Sequence, residues 1–110
     1  MRGNPSPLNI VESRERTRTR VQLQGELDIA TVPAVAERLH RLRDRHENVV
    51  LDLDELDFID VRGMRLVLAA ADDARRDGWS LAVTRGSRAV RLLLEILGID
   101  DHLPHDGRIP

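Results

Sequence analysis

The chain has 110 residues, of which 41% are apolar and 33% are charged, and its formal net charge is −2. This size and balance predict one soluble globular domain and not a disordered chain. Cysteine is absent and all 17 basic residues are arginine, which excludes disulfides, thiolate metal sites, cysteine nucleophiles and lysine-dependent chemistry. The slight negative charge and the scarcity of aromatic residues give no reason to expect nucleic acid as a partner.

No targeting or membrane segment is evident in the sequence. Its apolar runs fall well short of the ~20 residues that a membrane-spanning helix needs, and its start has no apolar signal core. We therefore expect a cytoplasmic protein without membrane insertion. Turn-forming residues predict a loose N-terminal leader over residues 1–7, one domain over 8–104 and a C-terminal tail over 105–110.

The first predicted elements are two strands, over residues 8–12 and 17–24, joined by a charged turn. In the second strand, Thr, Val and Leu alternate with Arg and Gln, which predicts one buried face and one solvent face. The same region holds the densest basic cluster, namely Arg14, Arg16, Arg18 and Arg20. A nucleic-acid or membrane contact is conceivable there, but a solvated, charge-protected sheet edge is the favoured interpretation.

A first helix is predicted over residues 31–46, with Thr31 as its cap and Pro33 in its first turn. Its apolar face is formed by Val32, Val35, Ala36, Leu39 and Leu42. Burial of such a face contributes far more than the exposed ion pairs of a helix this long, so packing on a sheet should hold it. Because this helix connects two strands, we expect those strands to be parallel.

The central stretch begins with an almost continuous apolar run over residues 49–53. A run too short for a helix predicts a strand that is covered on both faces, in the middle of the sheet. An acidic loop over 54–62 should follow, and then a helix over 62–77 that ends at Gly78. A further strand over 79–83 would complete a second parallel, right-handed crossover.

A third helix is predicted over residues 88–98, capped by Ser87 and closed by Gly98. It is apolar on nearly all sides, which is typical of a helix that is deeply packed or that carries an interface. Full burial is difficult in so small a domain. Part of the side that carries Leu92 and Ile96 is therefore a candidate contact for a partner.

Loops that follow parallel strands meet at one edge of a sheet, where open α/β folds bind their ligands. Three predicted loops bring charged residues to this edge. These are Glu26, Asp28, Asp57, Asp60, Arg62, Arg65, Arg85 and Arg88.

The sequence gives little support for catalysis or for a metal site. The acidic residues of the central loop straddle a strand end and do not surround one point, and the lysine of a phospho-aspartate receiver is missing. His102 and His105 have the spacing of a metal pair but lack further ligands, and no Ser or Thr is marked as an activated nucleophile. We expect a binding protein with no catalytic residues, no metal and no cofactor.

Ordered motifs over roughly residues 8–103 resemble the STAS domain of bacterial anti-sigma factor antagonists. The motifs are Gly25-Glu26-Leu27-Asp28, Phe58-Ile59-Asp60-x-x-Gly63-Met64 and Leu97-Gly98-Ile99. The resemblance implies an α/β fold: a STAS-like mixed β-sheet with parallel crossovers, packed by three to four helices. It also implies that the chain regulates transcription by sequestering an anti-sigma factor, which in this family is a kinase-like ATPase.

In proteins of this family, the anti-sigma factor phosphorylates a Ser or Thr between the Asp and the Gly of the second motif, and the phosphorylation state selects the partner. Here Asp60, Gly63 and Met64 match the pattern, but Val61 and Arg62 occupy the hydroxyl positions and accept no phosphate. We predict that the scaffold is kept and the ordinary switch is lost, with three alternative consequences: the chain binds an anti-sigma factor constitutively, binds a different partner, or acts inside a larger assembly.

The predicted partner surface lies at the carboxyl edge of the sheet. It comprises Asp28, Asp60, Arg62, Gly63, Met64 and Arg65. The alternative is a STAS module that binds a small ligand or serves as an accessory subunit of a transport or sensor complex, and an enzyme is the least favoured class. The chain is expected to be a monomer or a weak dimer.

Overall fold

The computed structural model describes residues 8–106, so the predicted leader and the last four residues of the predicted tail lie outside the described part. The strands are β1 (Leu8–Glu15), β2 (Arg18–Leu27), β3 (Val49–Ile59) and β4 (Leu81–Val83). The helices are α1 (Val32–Asp44), α2 (Val61–Asp77) and α3 (Arg88–Leu97), and a short 3-10 turn follows at Asp100–His102. All three predicted helices are confirmed to within two residues at each end.

The four strands form one mixed sheet in the order β1-β2-β3-β4. Strands β1 and β2 are antiparallel, whereas β2 with β3 and β3 with β4 are parallel. Helices α1 and α2 form the two crossovers and pack against each other, as expected for two right-handed connections that proceed in one direction across a sheet. The predicted α/β fold with parallel crossovers is confirmed.

Strand β3 forms the centre of the sheet, as its apolar sequence predicts. Val49, Val50, Leu51 and Leu53 are each at most 2% exposed, because β2 and β4 pair with the two edges of this segment and side chains cover both faces. The prediction of an acidic loop from residue 54 is wrong, since β3 continues to Ile59.

Two irregularities in the pairing of β2 with β3 explain this extension. The register shifts between Gln22 and Gln24 and again between Gly25 and Glu26. Strand β2 itself continues to Leu27, through Gly25, which was predicted to end it. Extra residues of this kind bend a strand and change which side chains face outward. Asp54, Glu55 and Asp57 of β3 reach solvent, whereas Asp52 is buried and Leu56 stays in the core.

Three arginines of the basic cluster pair with carboxylates of the same chain. Arg14 contacts Glu47 at 2.6 Å, Arg18 contacts Asp106 at 3.0 Å and Arg20 contacts Asp52 at 2.8 Å. Asp106 belongs to the predicted tail, and its backbone N–H donates to the carbonyl oxygen of Val83. The first residues of that tail are therefore joined to the sheet.

Glu47, which precedes β3, illustrates how these pairs affect stability. The buried Thr19 hydroxyl donates to its carboxylate at 2.7 Å. This hydrogen bond, followed by the charge of Arg14, lowers the pKa of Glu47 below its ordinary value. A lowered pKa in the folded state means that the ionised carboxylate stabilises the fold at neutral pH and that this contribution is lost in acid.

We expect Glu47→Gln to lower the urea midpoint of unfolding at pH 7, because the amide keeps the shape but not the charge. The difference from the unchanged protein should narrow as the pH falls from about 4.5, the ordinary pKa of glutamate, through the lowered value of the folded state. Urea titrations at pH 7 and pH 3.5 measure this difference. Glu37→Gln, at an exposed position of α1, is the control, and a gap that stays constant with pH would contradict the assignment.

Candidate functional site

Strands β2 and β3 end side by side, and this places two turns together. Leu27 is the register partner of Ile59, and the backbone N–H of Asp60 donates to the carbonyl oxygen of Leu27 at 3.2 Å. The turn between β2 and α1 and the start of α2 therefore lie at one end of the sheet, as predicted from the parallel topology.

The third predicted loop does not reach this end. Strand β4 ends at Val83, opposite Leu51, and Gly86 then donates its backbone N–H to the Asp54 carboxylate at 3.0 Å. Arg85 and Arg88 therefore follow β4 at the level of the middle of β3, not at its carboxyl end. The prediction that all eight charged residues converge is wrong for these two, because β4 is much shorter than β3.

Asp60 fixes the start of α2. Its carboxylate accepts a hydrogen bond from the backbone N–H of Gly63 at 2.9 Å, and its carbonyl oxygen accepts one from Met64 at 3.0 Å. This is the usual geometry of an N-cap, which satisfies an otherwise unpaired N–H group in the first turn of a helix. The Asp-x-x-Gly spacing in the sequence is thus a capping motif.

Gly63 is required by a close approach between α2 and β2. A Cβ atom at this position would lie 2.6 Å from the carbonyl oxygen of Leu27 and 2.9 Å from its Cγ atom. Gly63 is buried, and the next residue, Met64, is only 1% exposed. Both were predicted to be part of the contact surface, but in this structure they lie beneath it and position the residues around them.

The turn before α1 is held by side chains in a way that differs from the prediction. Thr31 was expected to cap α1, but its hydroxyl makes no cap hydrogen bond. It instead donates to the carbonyl oxygen of Glu26 and accepts from the N–H of Asp28, both at 2.9 Å. The Asp28 carboxylate accepts from the N–H groups of Ala30 and Thr31, so Asp28 closes the turn.

The other hydroxyls of this region are also engaged. Thr84 is 8% exposed, and its hydroxyl oxygen accepts the backbone N–H of Leu53 at 2.9 Å. Ser87 accepts the N–H of Val90 at 3.3 Å, which confirms it as the cap of α3. In the first turn of α2 the exposed side chains are Val61 and Arg62, and neither carries a hydroxyl.

Exposed apolar side chains accompany the charges at this end of the sheet. Ile29 is 59% exposed, Phe58 47% and Val61 46%. Sequence reasoning did not select Ile29 and Phe58 for a site, although each is a large apolar residue in an otherwise acidic stretch, which is a detectable signal. We call the residues at the start of α2 and in the neighbouring turn the α2 N-terminal surface, namely the half-buried Asp28 and the exposed Ile29, Val61, Arg62 and Arg65.

The cations of this surface are available to a partner, whereas its carboxylates are partly used by the fold. Among the described residues, neither Arg62 nor Arg65 forms an ion pair, and both are exposed. Asp28 and Asp60 accept backbone N–H bonds. The two unpaired guanidinium groups lie in the first turns of α2, where the helix dipole disfavours a cation by about 0.3–1 kcal/mol.

The alternative function, binding of a small ligand, would need a pocket. A groove of about 310 Å³ lies between α1 and α2. Its lining includes Leu39, Leu66 and Trp79, together with Arg43 and Asp73. The two charged residues pair with each other at 2.8 Å, so the Arg43 guanidinium already has a carboxylate partner within the chain. Among residues 8–106, no three His, Asp or Glu side chains are placed to hold a metal ion, and no helix could cross a membrane.

The mixed sheet, its two parallel crossovers and the capped glycine turn at the start of α2 define a STAS-type domain. The family described as "Mlab, STAS domain" matches residues 10–105. The chain belongs to this STAS domain family.

Individual relatives agree with this assignment. A Staphylococcus aureus (strain NCTC 8325 / PS 47) protein named "Anti-sigma-B factor antagonist" is 27% identical over 95 residues, which are 86% of this chain and 88% of that protein. The crystal structure of an anti-sigma factor antagonist from Mycobacterium paratuberculosis has a TM-score of 0.80 at 20% identity, covering 96% of this chain and 91% of the other. Unphosphorylated SpoIIAA, also an anti-sigma factor antagonist, has a TM-score of 0.70 at 17% identity, covering 91% and 90%. The two structures establish the shared fold.

We expect Gly63→Ala to lower the free energy of unfolding by about 1–3 kcal/mol, the usual cost of overpacking. The Leu27 oxygen that the new methyl group would meet cannot retreat without disturbing the pairing of β2 with β3. Urea denaturation measures the loss. Val61→Ala, in the same turn but half exposed, should change stability by less than about 0.5 kcal/mol, and equal effects of the two substitutions would refute the close approach.

Proposed function

We propose that this chain is an anti-sigma factor antagonist that binds a kinase-like anti-sigma factor through the α2 N-terminal surface. The names of its relatives support the general role. The carrying observation is the first turn of α2, where an exposed, unpaired Arg62 stands in the position of the family's phosphorylatable hydroxyl. The chain acts by binding, in the cytoplasm, and performs no catalysis of its own.

The chemistry of the surface defines the partner's side of the interface. Apolar side chains at 29 and 61 supply area to bury, while Arg62 and Arg65 offer guanidinium groups that prefer carboxylates. A partner patch that combines apolar residues with Asp or Glu satisfies both. Rigid turns at Asp28 and Asp60 hold these side chains in place before binding, which reduces the entropy lost on association.

The regulatory consequence follows from the sign of the charge. A phosphate in the first turn of a helix adds about −1.5 to −2 charge beside free N–H groups, whereas Arg62 adds +1. Arg62 is therefore a poor mimic of the phosphorylated state. We propose that the protein remains in its binding-competent form and that the anti-sigma factor is sequestered without control by a kinase at this position.

Charge reversal should weaken the complex with the anti-sigma factor that co-purifies with this chain. Arg62→Glu and Arg65→Glu each place a carboxylate before an acidic patch, and each should raise the dissociation constant about tenfold or more in isothermal titration calorimetry. Arg75→Glu, at the opposite end of α2, is the matched control. If both substitutions leave the affinity unchanged while circular dichroism shows an intact fold, the interface lies elsewhere.

The loss of the switch is tested with the same partner and ATP. We expect mass spectrometry to find no phosphate on the first turn of α2 or on Thr84 and Ser87 of the unchanged protein, because Val61 and Arg62 have no hydroxyl and the other two hydroxyls are engaged. Arg62→Ser should introduce phosphorylation at position 62.

Arg75→Ser is the control for this experiment, since its hydroxyl lies in the same helix but outside the Asp-x-x-Gly turn and outside the proposed interface. It should stay unmodified. Phosphate on Thr84 or Ser87 of the unchanged protein would mean that the switch has moved to another residue and would refute this part of the proposal.

A further inference from the structure

Helix α3 carries large apolar side chains on two opposite sides. Val90 and Leu94, at most 1% exposed, belong to the core, whereas Leu92 is 54% and Ile96 70% exposed. At 100° per residue, Leu92 points almost directly away from the side that Val90 and Leu94 share. The outer side of α3 is thus an apolar surface without a cover among the described residues.

Two charged residues of opposite sign flank this surface. Arg88 precedes Leu92 by four residues and Glu95 follows it by three, so all three lie on the outer side of the helix. Both charged residues are exposed, and among the described residues neither forms an ion pair. From the N-terminus of α3 to its C-terminus, the outer side therefore carries the positive Arg88, the apolar Leu92 and the negative Glu95 in turn.

This order of charges opposes the helix dipole. The first turn of α3 has no acidic residue and the last turn has no basic residue, whereas a helix is stabilised by the reverse arrangement. Neither Arg88 nor Glu95 is therefore stabilised by the dipole of α3. Within the helix, Glu95 has an opposite charge four positions before it, the exposed Arg91, whereas Arg88 has none at that spacing. A second helix that runs antiparallel along the outer side would compensate both charges, because it brings a carboxylate to Arg88 and a guanidinium to Glu95.

We propose that a second copy of this chain docks its own α3 there, antiparallel, about a two-fold axis that passes close to Leu92. Arg88 and Glu95 are about 10 Å apart along the helix. An axis midway between them aligns Arg88 of each copy with Glu95 of the other, and Leu92 and Ile96 become buried between the helices. The contact is self-complementary, as a two-fold interface must be.

The size of the surface determines the strength of the dimer. One pair of ten-residue helices buries less than the roughly 800 Å² per partner of a standard interface. We therefore expect a reversible dimer with a dissociation constant on the order of 100 µM. The residues of this surface are separate from those of the α2 N-terminal surface, so the proposal does not depend on the proposed function.

Sedimentation velocity between about 10 µM and 1 mM tests the dimer and its orientation. Arg88→Glu should raise the dissociation constant about tenfold, because it opposes the new carboxylates to the two copies of Glu95. Combining it with Glu95→Arg reverses both charges and should restore dimerisation. Glu37→Arg on α1 is the control for a charge change outside the interface.

These substitutions distinguish a loss of dimerisation from a loss of stability of α3. Arg88→Glu improves the charge at the start of α3, so its thermal midpoint should not fall even though the dimer weakens. Leu92→Asp, at an exposed position, should abolish the dimer with an unchanged fold. A protein that stays monomeric at 1 mM overturns the proposal, as does a dimer that Arg88→Glu leaves intact or that the double substitution fails to restore.

Discussion

The contact of α2 with the end of β2 is the constraint on which the rest of the site depends. Asp60 joins three elements: its N–H is bound by β2, its carboxylate caps α2, and its neighbour Ile59 ends β3. Gly63 allows the helix to approach the Leu27 carbonyl at a distance that no side chain would permit. Because these contacts connect strands and helix, the first turn of α2 has one defined position, and Val61 and Arg62 are displayed on a rigid base.

In this turn, the residues that maintain the structure differ from the residues that are exposed to a partner. The residues that hold the turn, Asp60 and Gly63, are used by the backbone, whereas the two residues between them face solvent. Their chemistry can therefore change without disturbing the fold. In this chain the exposed residues are an apolar Val61 and a cationic Arg62, and the proposed constitutive binding rests on the proposal that they stand where relatives carry a modifiable hydroxyl.

Sequence reasoning succeeded where the signals are local. Helix ends were predicted closely because Asp, Ser and Gly act within a few residues of their own positions, as Gly78 and Gly98 do with left-handed backbones. It failed at Asp54, where pairing with β2 overrides an acidic, loop-like stretch. It also failed at Thr31, whose hydroxyl bonds across the turn to Glu26 in place of the helix that it precedes.

By itself, the sequence determined the order of the elements, the central place of β3 and the absence of a hydroxyl at positions 61 and 62, since these follow from periodicity and composition. Only the tertiary structure decided that Met64 is buried, that Arg85 and Arg88 lie apart from the α2 N-terminal surface, and that Ile29 and Phe58 are exposed. Each of these depends on the register between segments distant in the chain. Register is set by bulges and unequal strand lengths, which residue patterns along a single strand do not encode.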